Sequence, residues 1–275
     1  MNEEITVIYC VCKDLLDAAG HQDDPQCRVT DAEVCMLAIV AARLFGGNFE
    51  KARIFLHEHG YMSSTISKSR MNRRLHRLAP ILREIFEMLA QVWKAENKEN
   101  VYLIDSFPVS VCQNIRISRC NIYNEEEFRG YNASKRVYFY GLKVHLITTV
   151  DGKPIEVLLT PGNVSDTKAL NLFNFGLPNG SIIYGDKAYT WYEIEDLLAA
   201  CDGIKLQPIR KINHKRQFDA CTEFLQKVCR KTIEITNSMI TKMFPKCIHA
   251  VTAAGFELKV FLFVMAHSFQ FAVQY

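Results

Sequence analysis

The apolar residues of this chain change period near residue 98, and one layer of secondary structure cannot serve both periods. Before that point they recur at three- and four-residue spacing, the signature of amphipathic helices. Thr30-Asp31-Ala32-Glu33 forms a capping box ahead of Val34, Leu37, Ala38, Ala41 and Leu44, and Gly46-Gly47 closes that helix. A second helix is predicted over residues 48–59. A third starts near Ser67, where Ser64, Thr65 and Ser67 offer N-caps, and Pro80 kinks or divides it. The polar run 94–100 reads as a linker, so a helical domain over 1–98 and an α/β domain over 99–275 are expected.

Beyond the linker the apolar runs are short and continuous, as in strands buried on both faces. Val101-Tyr102-Leu103-Ile104 ends in Asp105, and Ser181-Ile182-Ile183-Tyr184 ends in Gly185-Asp186. Gly141 to Val150 and Ile155 to Thr160 flank Asp151-Gly152, the strongest hairpin signal in the chain. Ile204 to Ile209 is a further strand. Helices are predicted from Asp166 to Phe175 with Asp166 as the cap, from Trp191 to Ala200, and from Phe218 to Met243. This order predicts a mixed sheet with helices packed on it, and aspartates at the ends of two central strands. Strand ends are where sites form in such sheets.

Ten cysteines in 275 residues are too few for a disulfide scaffold, and the first residues lack a basic stretch followed by an apolar one, so secretion is not expected. The stretch from Phe256 to Tyr275 is interrupted by Glu257, Lys259, His267 and Gln270 and reads as a buried last helix. Net charge is only +3, but its distribution is uneven. Residues 61–83 carry Lys68, Arg70, Arg73, Arg74, Arg77 and Arg83 with no carboxylate. Three helices with a basic third have the composition of a helix-turn-helix module, with Arg70, Arg73, Arg74 and Arg77 expected on one DNA-facing side. A second basic patch follows the last strand: Lys205, Arg210, Lys211, His214, Lys215 and Arg216.

Asp105, Asp186 and Glu234 are the acids that a mixed sheet can bring together. Clustered carboxylates repel by about 4 kcal/mol per pair at 4 Å in an effective dielectric near 20, unless a cation intervenes. Oxygen-only ligands favour Mg²⁺ or Mn²⁺, and two such ions would stabilise an in-line displacement at a phosphodiester. By spacing alone, each acid could equally cap a helix or sit on a solvated face.

Five ordered strings narrow that choice: Asp105-Ser106-Phe107-Pro108-Val109, Gly141-Leu142-Lys143-Val144-His145, Pro161 to Asp166, Gly185-Asp186-Lys187-Ala188-Tyr189, and Arg230 to Glu234. In order and spacing they resemble the DDE transposases of bacterial insertion sequences, and most nearly insertion-sequence family 982. The resemblance extends to Ser67 through Leu78 and to Gly255 through His267. It implies an RNase H-like catalytic domain, preceded by an end-binding helical domain. Asp105, Asp186 and Glu234 would be the catalytic acids, holding two Mg²⁺ ions with Mn²⁺ as substitute. The implied chemistry is hydrolysis at the element's end, then attack of the freed 3′-hydroxyl on target DNA. The implied partners are double-stranded DNA (terminal inverted repeats and target) and a second copy of the chain, with no membrane and no small-molecule substrate, in the bacterial cytoplasm on the nucleoid.

The match has a departure. Related transposases place the third acid in a Tyr-x2-Arg-x3-Glu-x6-Lys pattern, which here reads Lys227, Arg230, Glu234 and Thr241. Lys242 follows one position late. The DNA-binding set is thus Lys68, Arg70, Arg73, Arg74, Arg77, Lys211, Arg216, Arg230 and Lys242. Asp166 matches a family position but reads as a helix cap. His145 reads as a packed or surface histidine. Cys10-x-Cys12 and Cys247-x-His249 lack zinc-ligand spacing, and Tyr189 lacks the Arg/His surroundings of a recombinase tyrosine. Two further activities fit the same residues: a transposase-derived DNA-binding protein without catalysis, and a metal-dependent nuclease that cuts without joining.

Overall fold

The computed structural model describes residues 2–133 and 135–272. The chain divides into two compact units, one of Met1–Leu89 with Ile240–Tyr275 and one of Ala90–Met239.

The first unit is helical: α1 (Asn2–Ala18), α2 (Asp31–Phe45), α3 (Phe49–Glu58), α4 (Lys68–Arg77), most of α5 (Ala79–Glu96) and α9 (Ala253–Ala272). α2 is its axis, buried from Asp31 to Ala42 and packed against α1, α3, α4 and α9. The expected capping box forms: Glu33 N donates to Thr30 Oγ1 at 3.1 Å, and Thr30 N donates to Glu33 Oε2 at 2.6 Å. Gly46 ends the helix in the left-handed region. Ser67 caps α4, and the division falls at Leu78, so that Pro80 occupies the first turn of α5, where it has no helical partner to lose. α9 differs from its expected grouping. Its apolar face packs with α2 in the helical unit, whereas period alone assigned it to the α/β domain. Residues 273–275 of that predicted helix lie outside the described residues.

The second unit is a six-stranded mixed sheet with helices on it, the RNase H-like arrangement. Its strands are β1 (Val101–Cys112), β2 (Arg129–Asn132), β3 (Val137–Thr149), β4 (Pro154–Pro161), β5 (Ile182–Gly185) and β6 (Lys205–Pro208). The order is β2-β3-β1-β5-β6, with β4 also on β3. β3 is long enough to carry two partners along one edge, β2 opposite 137–140 and β4 opposite 142–148. The β3–β4 turn uses Gly152 at φ 84°, which an L side chain rarely adopts. α7 (Tyr192–Cys201) and α8 (Ala220–Lys242) follow β5 and β6.

Two expectations change here. β1 does not end at Asp105: its parallel pairing with β5 stops at Ile104, but its antiparallel pairing with β3 continues to Cys112. Pro108 is tolerated because no strand pairs with that side of β1 beyond Ile104. Asp166 does not cap a helix reaching Phe175. Ser165 is the cap, accepting from Lys168 N at 3.2 Å, and α6 spans only Asp166–Ala169.

Candidate active site

The parallel register Leu103↔Tyr184 and Ile104↔Gly185 brings Asp105 and Asp186 abreast where the pairing of β1 with β5 stops, at the carboxyl end of β5 and midway along β1. Side chains alternate along a strand, so Leu103, Asp105, Tyr184 and Asp186 share one face of the sheet. α8 covers that face. Ile233 packs with Leu103 and Tyr184, and the residues one turn either side of it reach the acids. Arg230 Nη1 donates to Asp186 Oδ1 at 2.9 Å and Arg230 Nε donates to Glu234 Oε1 at 2.7 Å. Asn237 Nδ2 donates to Asp105 Oδ2 at 2.9 Å. A small cleft lined by Asp105, Asp186, Gln226 and Arg230 lies between helix and sheet.

The three acids are unequally compensated. Arg230 serves Asp186 and Glu234 directly, whereas Asp105 has a neutral amide donor and a backbone donor at Ser106. Burial raises the Asp105 carboxyl to about 7, with the charges of Asp186 and Asp166 adding to the rise and Arg230 opposing it. A carboxyl in that condition favours a nearby cation. Asp105 and Asp186 line the cleft, while Glu234 is exposed beside it and tied to Asp186 through Arg230; carboxylate oxygens of this kind suit a hard divalent ion and not a soft one.

Sequence reasoning missed Asn237. Its signal was present, since Arg230, Ile233 and Asn237 recur at helical spacing on one face of α8.

The opposite face of β1 carries a separate polar cluster. Ser106 faces His145 in register, and Ser106 Oγ donates to Asp166 Oδ1 at 2.8 Å. Lys143 Nζ lies 3.3 Å from the same oxygen. His145 is fully buried, hydrogen-bonded to Tyr189 OH at 3.2 Å and to Thr160 Oγ1 at 3.0 Å. Burial lowers its pKa to about 4, partly offset by Asp166 and reinforced by Lys143. Tyr189 is equally buried, and burial holds its phenol well above the ordinary range. Asp166 is therefore an anchor between strand and turn.

The expected DNA-facing residues separate on inspection. Lys68, Arg70, Arg73 and Arg77 are exposed on α4, and the three arginines line an open groove with Arg28. Arg74 is a correction. It points inward, its guanidinium held by Asp31 and by the Val29 carbonyl, because position 74 falls with Met71 and Leu75 on the packed side of α4. Lys211 is exposed. Arg216 is exposed but paired with Asp196 at 2.6 and 2.8 Å, and Arg210 is buried against Glu195. Lys242 is exposed in the last turn of α8.

Among the described residues no single helix is long and apolar enough to cross a membrane. Neither curated proteins nor solved structures give a match. A family model described as the transposase DDE domain matches residues 96–267, more than half of the chain and reaching into α9. Two aspartates abreast on parallel strands, a glutamate on the helix above them, and that match lead to one assignment: the chain belongs to the transposase DDE domain family.

Proposed function

We propose that this protein cleaves the ends of an insertion sequence of the family 982 type and joins the freed 3′-hydroxyl to target DNA, with Asp105, Asp186 and Glu234 holding two Mg²⁺ ions. The observation that carries this reading is the under-compensated Asp105 beside Asp186, on the face that α8 covers, with Arg230 of that helix joining Asp186 to Glu234. Divalent ions bound there would polarise the scissile phosphate and stabilise the attacking and leaving oxygens. The chain's own residues supply position and charge. Asn237 fixes the Asp105 carboxylate, and Arg230 holds Asp186 and Glu234 near each other while offering a guanidinium suited to a phosphate oxygen.

In this reading residues 1–98 recognise the terminal inverted repeat through Arg70, Arg73 and Arg77, with Lys68 on neighbouring phosphates. The sheet unit of residues 90–239 is the catalytic domain, and Lys211, Arg216 and Lys242 contact DNA backbone. The protein acts as a DNA-bound homodimer in the bacterial cytoplasm, on the nucleoid. The test is a cleavage and strand-transfer assay on cognate ends. Asp105→Asn, Asp186→Asn and Glu234→Gln should each lower both steps by well over about a hundredfold while leaving end binding in place, as loss of a metal-ligand charge does. Strand transfer near the wild-type rate in any one variant removes that residue from the site. Cleavage without joining in the wild type makes the protein a nuclease.

A further inference from the structure

β3 is buried along most of its length, but its first two residues are not. Val137 and Tyr138 are 53% and 70% exposed, and Tyr131, opposite Tyr138 on β2, is 50% exposed. The two tyrosine rings lie 4.8 Å apart, tilted by 50°. A cross-strand aromatic pair steadies a hairpin by a few tenths of a kcal/mol to about 1 kcal/mol, which accounts for the pairing but not for two large rings turned to solvent. The support beneath them is rigid. Gly130 sits so close over the Phe139 ring that a Cβ there would come within 2.3 Å of it, and Asn114 Nδ2 donates to the Tyr138 carbonyl at 2.8 Å.

The surroundings are net cationic: residues 114–140 hold five Lys and Arg against Glu125, Glu126 and Glu127, which sit just before β2. Residues 129–140 contain Arg129, Lys135 and Arg136 and no carboxylate, and the 3-10 turn Asn114–Arg119 beside them adds Arg116 and Arg119, again with none. Arg129 is paired with Glu126 at 2.7 Å; Arg116, Arg119, Lys135 and Arg136 make no ion pair among the described residues. Aromatic faces interleaved with cations match a strand whose bases are exposed, because every base offers a π-face and every nucleotide a phosphate. Paired duplex hides those faces. A second copy meeting this patch about a twofold axis would set the same cations against each other.

We propose that the β2–β3 hairpin is a stacking platform for unpaired nucleobases, Tyr138 and Tyr131 taking a base and Arg116, Arg119, Lys135 and Arg136 the adjoining phosphates. The rings are too close to admit a base between them, so the base stacks on an outward face. Tyr138 lies eight residues along β3 from Leu146, the partner of Asp105, roughly 26 Å at 3.3 Å per residue. That is about eight base steps of duplex, within reach of DNA held at the acids. The inference rests on DNA being the substrate, and strand separation near a processed end would supply the unpaired bases.

Fluorescence anisotropy with the full chain in EDTA tests it without any catalytic step. The labelled probes are an oligothymidine, a blunt duplex, and the same duplex carrying an oligothymidine overhang. Tyr138→Ala and Tyr131→Ala should each weaken binding of oligothymidine and overhang about tenfold or more and of blunt duplex less than about twofold, while Tyr138→Phe keeps wild-type affinity. Because binding is read in EDTA with no cleavage step, failure of the catalytic reading leaves this result legible. Equal losses on all probes, no loss in the Ala variants, or a Phe variant as weak as Ala would overturn the proposal. So would a wild-type dimer that Tyr138→Ala dissociates without changing DNA affinity. Should the Ala variants fail to fold, photo-crosslinking of wild-type protein to an iododeoxyuridine-substituted overhang decides it: adducts on Tyr131 or Tyr138 support the platform, and adducts only elsewhere refute it.

Discussion

Asp31 in the helical unit is buried and Asp105 in the sheet unit is half-buried, and they end in opposite states. Burial alone would raise the Asp31 carboxyl, but hydrogen bonds from Arg74 and His21 outweigh it and hold Asp31 below its ordinary range. Burial raises Asp105 to about 7, and among the described residues no cation forms an ion pair with it, Arg230 acting only from a distance. Asp31 is neutralised from within the chain and has nothing left to bind. Asp105 is left to a charge from outside, as expected of a metal ligand and not of a structural anchor. His21, Asp23 and Asp31 lie close enough to resemble a metal cluster, yet Asp31 already serves Arg74 and His21, and Asp23 accepts from Asp31 N at 2.6 Å.

The largest test of the contrast is to break each aspartate's arrangement in turn. Arg74→Ala leaves a buried carboxylate without its guanidinium and should cost about 3–5 kcal/mol of stability in urea melts. Arg70→Ala, on the exposed face of the same helix, should cost less than about 0.5 kcal/mol. Asp105→Asn, in metal-free buffer, should change stability by no more than about 0.5 kcal/mol or raise it, since it removes a charge that burial disfavours. A loss above that range for Asp105→Asn would make its carboxylate structural and end the comparison.

His145 sharpens it from the far side of β1. Its pKa falls on folding from an ordinary 6.5 to about 4, so the unfolded chain binds the extra proton first. The neutral imidazole therefore contributes stability that is present above about pH 6.5 and lost as pH falls toward 4. The loss should reach about 3 kcal/mol at the acid end of that window, and a His145→Gln variant should lack that share of the pH slope. A wild-type slope unchanged in the variant would assign the acid sensitivity to other groups.

Metal gives the smallest of the three effects. Mg²⁺ or Mn²⁺ at a hundred times its dissociation constant adds about 2.7 kcal/mol to a protein that binds it only when folded. The melting temperature should rise accordingly in the wild type and not in Asp105→Asn, whereas Asp31→Asn should keep the response. Equal responses in wild type and Asp105→Asn would move the ion elsewhere.

Much of both units was legible because hydrophobic period, capping and turn chemistry act locally. Buried runs ending in Asp105 and Gly185-Asp186, the Asp151-Gly152 turn, and the Thr30/Glu33 box each needed only near neighbours in sequence. β2 was missed. Its four residues, Arg129 to Asn132, carry no strand-like alternation, and the strand exists because β3 extends past the end of β4 and offers an unpaired edge. Asn237 was missed for a related reason: helical spacing puts it on one face with Arg230 and Ile233, but that this face lies over β1 and meets Asp105 is a tertiary fact.

The sequence by itself determined that a helical segment precedes a mixed sheet and that aspartates follow two buried apolar runs, because residue type and period are written along the chain. Only the tertiary structure decided which cations are available. Arg70, Arg73, Arg74 and Arg77 are alike in type and spacing, but helix packing turned Arg74 inward to Asp31. The fold likewise placed Ser106 and Asp105 on opposite faces of one strand, anchoring Asp166 through the first and leaving the second without a cation. Charge compensation acts through space, so it is settled where chain segments distant in sequence meet.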